Sequence, residues 1–288
     1  MNLKVEEVHG GIIVYDIDMD LKNTFECGQC FRWNAEPDGS YTGVAFEKVL
    51  NISKIGDRVL YLKETSKHDF EAIWYNYFDM GNDYDAVAKA LKGDRVLDRA
   101  IEMGKGLRIL RQDPWECLVS FIISANNRIP QIKRVIENIC RLYGNPVDYM
   151  GSTYYTFPGP DRIANLSEKV LRETKCGFRA KYIIEAARMV QNGFDLNSVY
   201  EMSINEARLK LKEIPGVGDK VADCILLFAY GKTQAFPVDV WIKRVLTDLY
   251  GFSKNNIDDI RRFVKEKFGD YAGYAQQYLF YYMREKAM

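Results

Sequence analysis

The pattern of hydrophobic and polar positions divides the chain into a strand-like part and a helical part. Between about residues 10 and 63, β-rich runs such as residues 11–15 and 58–62 alternate with turn-forming segments at 37–40 and 55–58. Because these connections are short, we expect neighbouring strands to pair antiparallel in a meander. The N-terminal part is therefore predicted to contain a small antiparallel sheet.

After His68 the hydrophobic period changes to about 3.6 residues and stays so almost to the C-terminus, which indicates helices. One helix start is well marked, because Asp113 is a good N-cap and is followed by Pro114 at the first helical position and Glu116 at the third. The apolar run that follows is predicted to be a buried helix.

A second helix start is the capping box formed by Ser203 and Glu206, which opens a helix through Leu211. The chain then breaks at residues 215–218. We predict an α+β protein, with an antiparallel sheet domain and flanking helices over residues 1–100 and helical domains over residues 101–288.

Composition narrows the class of protein. Hydrophobic residues make up 47% of the 288 positions and aromatic residues 13%, which is enough for a sizeable core and excludes intrinsic disorder. No apolar run approaches the roughly 18 residues of a membrane span, and the acidic N-terminus is unlike a secretory signal. We therefore expect a soluble, intracellular protein.

The charges are balanced overall but unevenly distributed. Forty basic and forty acidic residues give no net charge, whereas the first 100 residues carry 12 basic and 18 acidic side chains. The remaining part consequently has an excess of six positive charges, which weakly favours a polyanionic partner.

The six cysteines are expected to be reduced and mostly buried. Cys27 and Cys30 are two residues apart, but no second such pair exists and the two histidines, His9 and His68, are isolated, so a zinc site is disfavoured. Because no cysteine follows Cys224, the chain cannot form a C-terminal four-cysteine iron–sulfur cluster.

Residues 211–224 have the pattern of a helix, a tight glycine hairpin and a second helix. Gly216 and Gly218 can adopt positive φ and let the backbone approach another molecule closely. The amides that open the second helix lie at the positive end of its dipole, where a phosphate can bind. Such turns also join helices in proteins that bind no anion, so this pattern alone leaves both possibilities open.

Lys220 and Asp239 are the candidate reactive pair. Lys220 lies in the first turn of the second helix, where the dipole and partial burial would lower the pKa of its amine and make it a nucleophile. Asp239 lies nineteen residues later where another helix is predicted to begin, and amide donors there would keep its carboxylate ionised. The alternative is a solvated lysine and an ordinary N-cap.

Five motifs in order resemble the 8-oxoguanine DNA glycosylases of the eukaryotic type, within the helix-hairpin-helix, Gly/Pro/Asp superfamily of base-excision glycosylases. They lie at residues 28–33, 124–127, 177–182, 216–224 and 271–276, so the resemblance covers nearly the whole chain. It implies a helix-hairpin-helix glycosylase region with the hairpin at about residues 203–230 and a C-terminal helix that returns to the base pocket. It also implies a monomer that binds double-stranded DNA containing 8-oxoguanine. It implies no membrane partner.

The resemblance further implies a mechanism. The lesion base is flipped out of the duplex, Lys220 attacks C1′ and forms a Schiff base with the help of Asp239, and β-elimination can then nick the strand. No catalytic cofactor is implied. The carbonyls of Lys212, Ile214 and Val217 match those that hold a structural cation in the superfamily.

The remaining site residues follow from the same resemblance. The base pocket would consist of Gly28, Cys224, Gln276 and Phe280. DNA contacts would come from Asn126, Phe178, Arg179, Gly216, Gly218 and Trp241.

Each of these residues has an implied role. The carbonyl of Gly28 would accept the N7 hydrogen that 8-oxoguanine carries and guanine lacks. Gln276 would read the Watson–Crick edge while Phe280 and Cys224 lie on the two faces of the base. Asn126 would fill the gap left by the base, and Phe178 and Arg179 would probe the opposite base. Without the resemblance, Gln276 and Phe280 fit an ordinary core helix.

Other functions are compatible with parts of the pattern. A glycosylase for another lesion is one, although the missing cysteines disfavour the iron–sulfur pyrimidine branch and Lys220 disfavours the alkylpurine branch. A noncatalytic protein that uses the hairpin only for phosphate contact is another. A metal-dependent hydrolase is the least supported, since the chain has only two histidines.

Three positions depart from the eukaryotic pattern. Trp241 replaces a histidine, Met283 replaces an aspartate, and Gln131 replaces the second arginine that contacts the opposite cytosine. Because one charged, bidentate donor is missing, we predict a weakened preference for cytosine opposite the lesion. Excision assays with each of the four opposite bases test this, and a strict requirement for cytosine would contradict it.

Overall fold

The computed structural model describes residues 3–252 and 256–287. The strands are β1 (Val5–Val8), β2 (Gly11–Tyr15), β3 (Trp33–Ala35), β4 (Tyr41–Ala45), β5 (Lys48–Gly56), β6 (Val59–Lys63), β7 (Pro146–Tyr149) and β8 (Ser152–Tyr155). The first six form one antiparallel sheet in the order β1-β2-β6-β5-β4-β3, and β7 and β8 form a separate hairpin.

The rest of the chain is mostly helical, as predicted, and the α+β class is confirmed. The helices are α1 (Leu21–Phe25), α2 (Lys67–Asp69), α3 (Tyr75–Tyr77), α4 (Tyr84–Ala90), α5 (Arg95–Met103), α6 (Pro114–Ser124), α7 (Ile129–Tyr143), α8 (Pro160–Ala164), α9 (Glu168–Leu171), α10 (Arg179–Gln191), α11 (Ile204–Lys212), α12 (Asp219–Phe228), α13 (Val240–Arg244), α14 (Ile257–Phe268) and α15 (Ala272–Ala287). Across the described ranges, none of them is long and apolar enough to cross a membrane.

The predicted local signals are confirmed. Asp113 caps α6 by accepting a hydrogen bond from the amide of Glu116 at 2.8 Å, and Ser203 and Glu206 form both hydrogen bonds of the capping box of α11. The turns at 37–40 and 55–58 join β3 to β4 and β5 to β6.

The prediction of a simple meander is wrong for β2, which pairs with β6 rather than with β3. The connection from β2 to β3 contains α1, and this helix lets the chain cross to the other edge of the sheet. The strand β1, helix α1 and hairpin β7–β8 are all too short to give a clear hydrophobic period, so the sequence pattern did not reveal them.

The sheet has its own aromatic core around Trp33. Its indole stacks on Phe25 with ring centroids 4.2 Å apart, and its Nε1 donates to the hydroxyl of Tyr77 at 2.8 Å. Gly43, the partner of Trp33 on β4, leaves room for this ring, because a Cβ at position 43 would lie 2.3 Å from it. The absence of a side chain at Gly43 is therefore a packing requirement.

Gln29 joins the sheet domain to the segment that leads into α6. Its fully buried side chain donates to the carbonyls of Thr24 and Arg108 at 2.8 and 2.7 Å and accepts from the amide of Leu110 at 2.9 Å. The amide of the Gln112 side chain donates to the Gln29 carbonyl at 2.8 Å. Because every group is paired, the turn that contains residue 29 is held rigidly.

A buried ion pair forms a second link between the two parts. The guanidinium of Arg32 lies 3.5 Å from the carboxylate of Glu116 on α6 and also donates to the carbonyl of Tyr155 on β8. Burial raises the pKa of Glu116 to about 7, although the charge of Arg32 acts in the opposite direction. Glu116 therefore takes up its negative charge inside the protein at a free-energy cost.

This raised pKa predicts a pH-dependent stability. Because the folded-state pKa of Glu116 lies above its ordinary value of 4.5, the stabilising contribution of the protonated form is complete below pH 4.5 and is lost as the pH rises through about 7. We expect the free energy of unfolding of Glu116→Gln, relative to wild type, to increase by on the order of 2 kcal/mol between pH 4.5 and 8.

Urea titrations of both proteins across this pH range provide the measurement. Glu206→Gln, at an exposed capping position on α11, is the matched control for loss of one carboxylate. A difference between Glu116→Gln and wild type that does not change with pH would show that Glu116 ionises as it does in the unfolded chain.

Candidate active site

The glycine hairpin between α11 and α12 has the predicted form of two helices joined by a tight turn. Gly216 has φ +86°, and a Cβ there would lie 2.8 Å from the Cβ of Tyr182, so both conformation and space require glycine. Gly218 has φ −93° and is extended, so it does not use the positive φ that glycine permits. It is the N-cap of α12, and among residues 3–252 and 256–287 no side chain caps that helix, which leaves the first amides of α12 accessible to an anion.

Ion pairs hold α12 in place. Asp219, its first residue, lies 2.9 Å from both Lys212 at the end of α11 and Arg261 on α14. Asp223, one turn further, is buried and accepts from Nε of Arg208 on α11 at 2.7 Å. The second hairpin helix is therefore fastened on two sides, and its first turn has a defined position.

Lys220, in that first turn, is half-buried and points toward the end of α6. Its Nζ donates to Oγ of Ser124 at 3.0 Å and lies 5.2 Å from the centre of the Phe121 ring. The immediate surroundings of the amine on α6 are thus a hydroxyl group and an aromatic ring, both uncharged.

Asp239 lies within electrostatic reach of this amine. It is the N-cap of α13, and its side chain accepts from the amide of Ile242 at 2.8 Å. Desolvation raises the pKa of Asp239, whereas the amide of Ile242 and the positive charge of Lys220 lower it. The predicted convergence of the lysine and the aspartate is present in the fold.

Cys224 lies one helical turn after Lys220 on α12. Its thiol is buried, and desolvation raises its pKa to about 12 in spite of the nearby positive charge of Lys220. The side chain is therefore a neutral, compact apolar group at neutral pH. It lies close enough to Lys220 and Asp239 for both charges to act on it.

Gly28, Gln276 and Phe280 come together from opposite ends of the chain. Gly28 has φ +82°, and a Cβ there would lie 3.3 Å from the ring of Phe280 on α15. Gln276, one turn earlier on α15, is buried and its Oε1 has no hydrogen-bond partner among the described residues. The neighbouring Gln277 donates to the carbonyl of Cys27 at 3.1 Å and fixes α15 against this turn.

Residues 124–127, here called the probe turn, carry the predicted DNA-contacting Asn126. This asparagine is exposed and has φ +50°, an uncommon conformation for a residue with a side chain. Asn127 closes the turn, since its Nδ2 donates to the carbonyl of Ile123 at 3.2 Å.

Arg179, at the start of α10, binds the backbone of the probe turn. Its buried guanidinium donates from Nε to the carbonyl of Ala125 and from Nη2 to the carbonyl of Asn126, both at 3.0 Å. The guanidinium also lies 4.5 Å from the ring of Phe178, which is 54% exposed. Contact of Arg179 with an opposite base stays a prediction, and such a contact has to compete with these carbonyls.

The other predicted positions have clear locations. Trp241 is half-buried on α13, with the guanidinium of Arg244 5.2 Å from its ring centre. Met283 packs against the helical core, and Gln131 lies near the start of α7.

In the hairpin, the carbonyl of Ile214 accepts a hydrogen bond from the amide of Val217 at 3.0 Å, which leaves one lone pair of this carbonyl oxygen free. The roles of these residues stay predictions.

Cavities are present away from this site. Two neighbouring cavities of about 350 and 430 Å³ share Asn82, Arg111 and Gly231 in their walls. Neither is lined by a predicted site residue. In the described structure the ring of Phe280 packs directly on Gly28, so no comparable cavity separates these two residues.

Sequence reasoning missed the supporting residues Ser124, Phe121 and Gln29. Ser124 and Gln29 lie inside motifs that the resemblance singled out, which was the one available signal. The contact of Ser124 with Lys220 joins residues 96 positions apart, and no local pattern encodes it.

Comparison with known proteins gives a consistent family. Residues 12–118 match the 8-oxoguanine DNA glycosylase N-terminal domain, and residues 119–269 match the HhH-GPD superfamily of base excision DNA repair proteins. A probable N-glycosylase/DNA lyase of Methanothermobacter thermautotrophicus is 33% identical over 246 residues, which cover 78% of this chain and 77% of that protein.

Two solved structures are similar over their whole length. The 8-oxoguanine glycosylase/lyase of Clostridium acetobutylicum, in complex with double-stranded DNA containing cytosine opposite 8-oxoguanine, superposes with a TM-score of 0.96 at 43% identity. A protein named MBOgg1, in complex with a low-affinity DNA ligand, superposes with a TM-score of 0.97 at 50% identity. Both alignments cover 100% of both chains.

Proposed function

The chain belongs to the HhH-GPD superfamily of base excision DNA repair proteins, and from this membership we infer that it excises 8-oxoguanine from duplex DNA as a bifunctional glycosylase and lyase. The observation that carries the assignment to this site is the half-buried amine of Lys220, held between α6 and α12 within reach of Asp239.

Lys220 is the proposed nucleophile. Its amine attacks C1′, the C1′–N9 bond breaks, and the base leaves with the bonding electrons and is then protonated. The nitrogen then loses one proton, and its lone pair forms a double bond to C1′ as the C1′–O4′ bond breaks. O4′ leaves with the bonding electrons and takes up a proton, which gives the protonated imine. Removal of a proton from C2′ expels the 3′ phosphate by β-elimination, which accounts for the lyase activity.

Asp239 is proposed to assist electrostatically and by proton transfer. Its N-cap hydrogen bond to Ile242 fixes the carboxylate, and its raised pKa, caused by desolvation, makes it a better proton acceptor than an exposed aspartate. The carboxylate also stabilises positive charge that develops on the sugar as the base departs.

Recognition of the oxidised base is assigned to the junction of α15 with the turn at Gly28. The carbonyl of Gly28 accepts the N7 hydrogen of 8-oxoguanine, whereas the bare N7 of guanine would place two acceptors against each other. The unpaired Oε1 of Gln276 supports its role as the acceptor for the Watson–Crick edge. Phe280 has to move away from Gly28 for the base to enter, since the two are in contact.

The hairpin is the proposed anchor for the DNA backbone. The uncapped amides at the start of α12 suit a phosphate oxygen. Lys212 ends α11, Ile214 and Val217 follow it in the hairpin, and hard cations prefer backbone carbonyl oxygens such as theirs. A structural cation there would supply positive charge between protein backbone and phosphate.

Trapping of the imine tests the nucleophile. Borohydride added to wild type with an 8-oxoguanine duplex is expected to give a covalent protein–DNA product, and Lys220→Gln is expected to give none while still binding DNA. Asp239→Asn should reduce excision by at least about 100-fold, since it removes both proton acceptor and negative charge. Lys169→Gln, at an exposed position on α9, is the matched control that retains trapping.

Failure of wild type to form a trapped product would contradict the proposed function. Trapping that persists in Lys220→Gln would instead show that another amine is the nucleophile and leave the glycosylase activity intact.

Gly28→Ala tests the recognition site. Alanine at position 28 would have to adopt φ +82°, and its Cβ would lie 3.3 Å from the ring of Phe280. We therefore expect the base pocket to be distorted. Excision of 8-oxoguanine should fall by at least 10-fold, whereas trapping at a preformed abasic site, which needs no base pocket, should persist. Equal losses in both assays would mean that Gly28 acts on the whole site rather than on base recognition.

A further inference from the structure

The hydroxyl of Ser124 has a position that the proposed mechanism does not yet use. It accepts a hydrogen bond from Nζ of Lys220 at 3.0 Å and donates to the carbonyl of Phe121 at 2.8 Å. The second hydrogen bond fixes the direction of the hydroxyl, so its lone pairs point away from the helix and toward the amine. Ser124 thus restricts where the reactive nitrogen can lie.

Ser124 is also the last residue of α6 and the first residue of the probe turn. The next residue, Ala125, has extended φ and ψ of −61° and 121°, and Asn126 has φ +50°. An asparagine in the left-handed region has a conformational cost that the surroundings must offset. The buried guanidinium of Arg179 does so, since it donates to the carbonyls of both residues.

A continuous series of contacts therefore runs from the exposed ring of Phe178 to the amine of Lys220. Phe178 packs on the guanidinium of Arg179, the guanidinium holds the carbonyls at 125 and 126, and the covalent chain leads directly to Ser124. We propose that Arg179 and Ser124 are positioning residues that link the fit of the opposite base at the probe turn to the placement of the Lys220 amine. This inference rests on the proposed function.

The link has a physical cause, because the probe turn and an opposite base would share the hydrogen-bond donors of Arg179. Both hydrogens of its Nη2 go to carbonyls of the probe turn, and Nη1 donates to the carbonyl of Cys176 at 3.4 Å. An opposite base that accepts a hydrogen bond from this guanidinium must replace or share at least one of these partners. The turn then relaxes, and because Ser124 begins it, the hydroxyl that holds the amine shifts as well. An opposite base that pairs poorly with this guanidinium would leave the probe turn in a different arrangement.

Ser124→Ala is the direct test. Single-turnover excision with saturating enzyme measures the chemical step, and we expect its rate to fall by about 10-fold, because the hydroxyl no longer holds the reactive nitrogen in position. The dissociation constant for the duplex should stay within about 2-fold, since the hydroxyl faces the amine rather than DNA. Ser124→Thr retains the hydroxyl and should restore most of the rate. Ser167→Ala, at the N-cap of α9, is the matched control and should not change the chemical step.

A double-mutant cycle tests the link to Arg179. If the two residues act in series, Arg179→Gln should lower the single-turnover rate much less in the Ser124→Ala background than in wild type. The ratio of rates for cytosine and adenine opposite the lesion should also move closer to 1 in Ser124→Ala. Arg179→Lys, which keeps the charge but not the planar fork, provides a milder variant if Arg179→Gln does not fold.

The outcomes separate this proposal from the proposed function. Wild type that traps the imine while Ser124→Ala keeps the full rate would overturn the positioning role alone. Additive effects of Ser124→Ala and Arg179→Gln, or an unchanged opposite-base ratio, would overturn the link. Absence of trapping in wild type would overturn the function itself.

Discussion

The hydrogen bond between Lys220 and Ser124 is the interaction around which the site is organised. It holds a flexible four-carbon side chain at 3.0 Å from a neutral hydroxyl rather than against a carboxylate. A directly bonded carboxylate would stabilise the ammonium form and make the amine a poorer nucleophile. Asp239 instead acts on Lys220 at longer range, because its own carboxylate is tied to the amide of Ile242.

The rest of the helical region keeps that interaction in place. The ion pairs of Asp219 and Asp223 fasten α12 to α11 and α14, and the apolar helix α6 is almost wholly buried. The amine is therefore held between α12, which carries Lys220, and α6, which carries Ser124. The backbones of both helices have little freedom to move. Rigid support of this kind is what holds a catalytic group in a reactive geometry.

The proposed base pocket depends on a different constraint, the return of α15 to the N-terminal domain. Gln277 donates to the carbonyl of Cys27, and Gln29 fixes the same turn to the segment before α6. Gly28 lies between these two anchors, so its carbonyl has a defined position without any regular secondary structure. The unpaired Oε1 of Gln276 on the same helix is the kind of buried group that is tolerated where a ligand will satisfy it.

The sequence by itself determined the local features of this protein, and its resemblance to a known family supplied the candidate reactive residues. Asp113 and Ser203 mark helix starts because a cap depends on residues within three positions. Of the two glycines that can adopt a positive φ, Gly216 does so and Gly218 does not, because glycine permits that conformation without requiring it. Only the tertiary structure decided the pairing of β2 with β6, the contact of Ser124 with Lys220 across 96 residues, and that of Gln277 with Cys27 across 250. These depend on how whole elements pack, and side-chain packing between distant segments leaves no periodic signal in the chain.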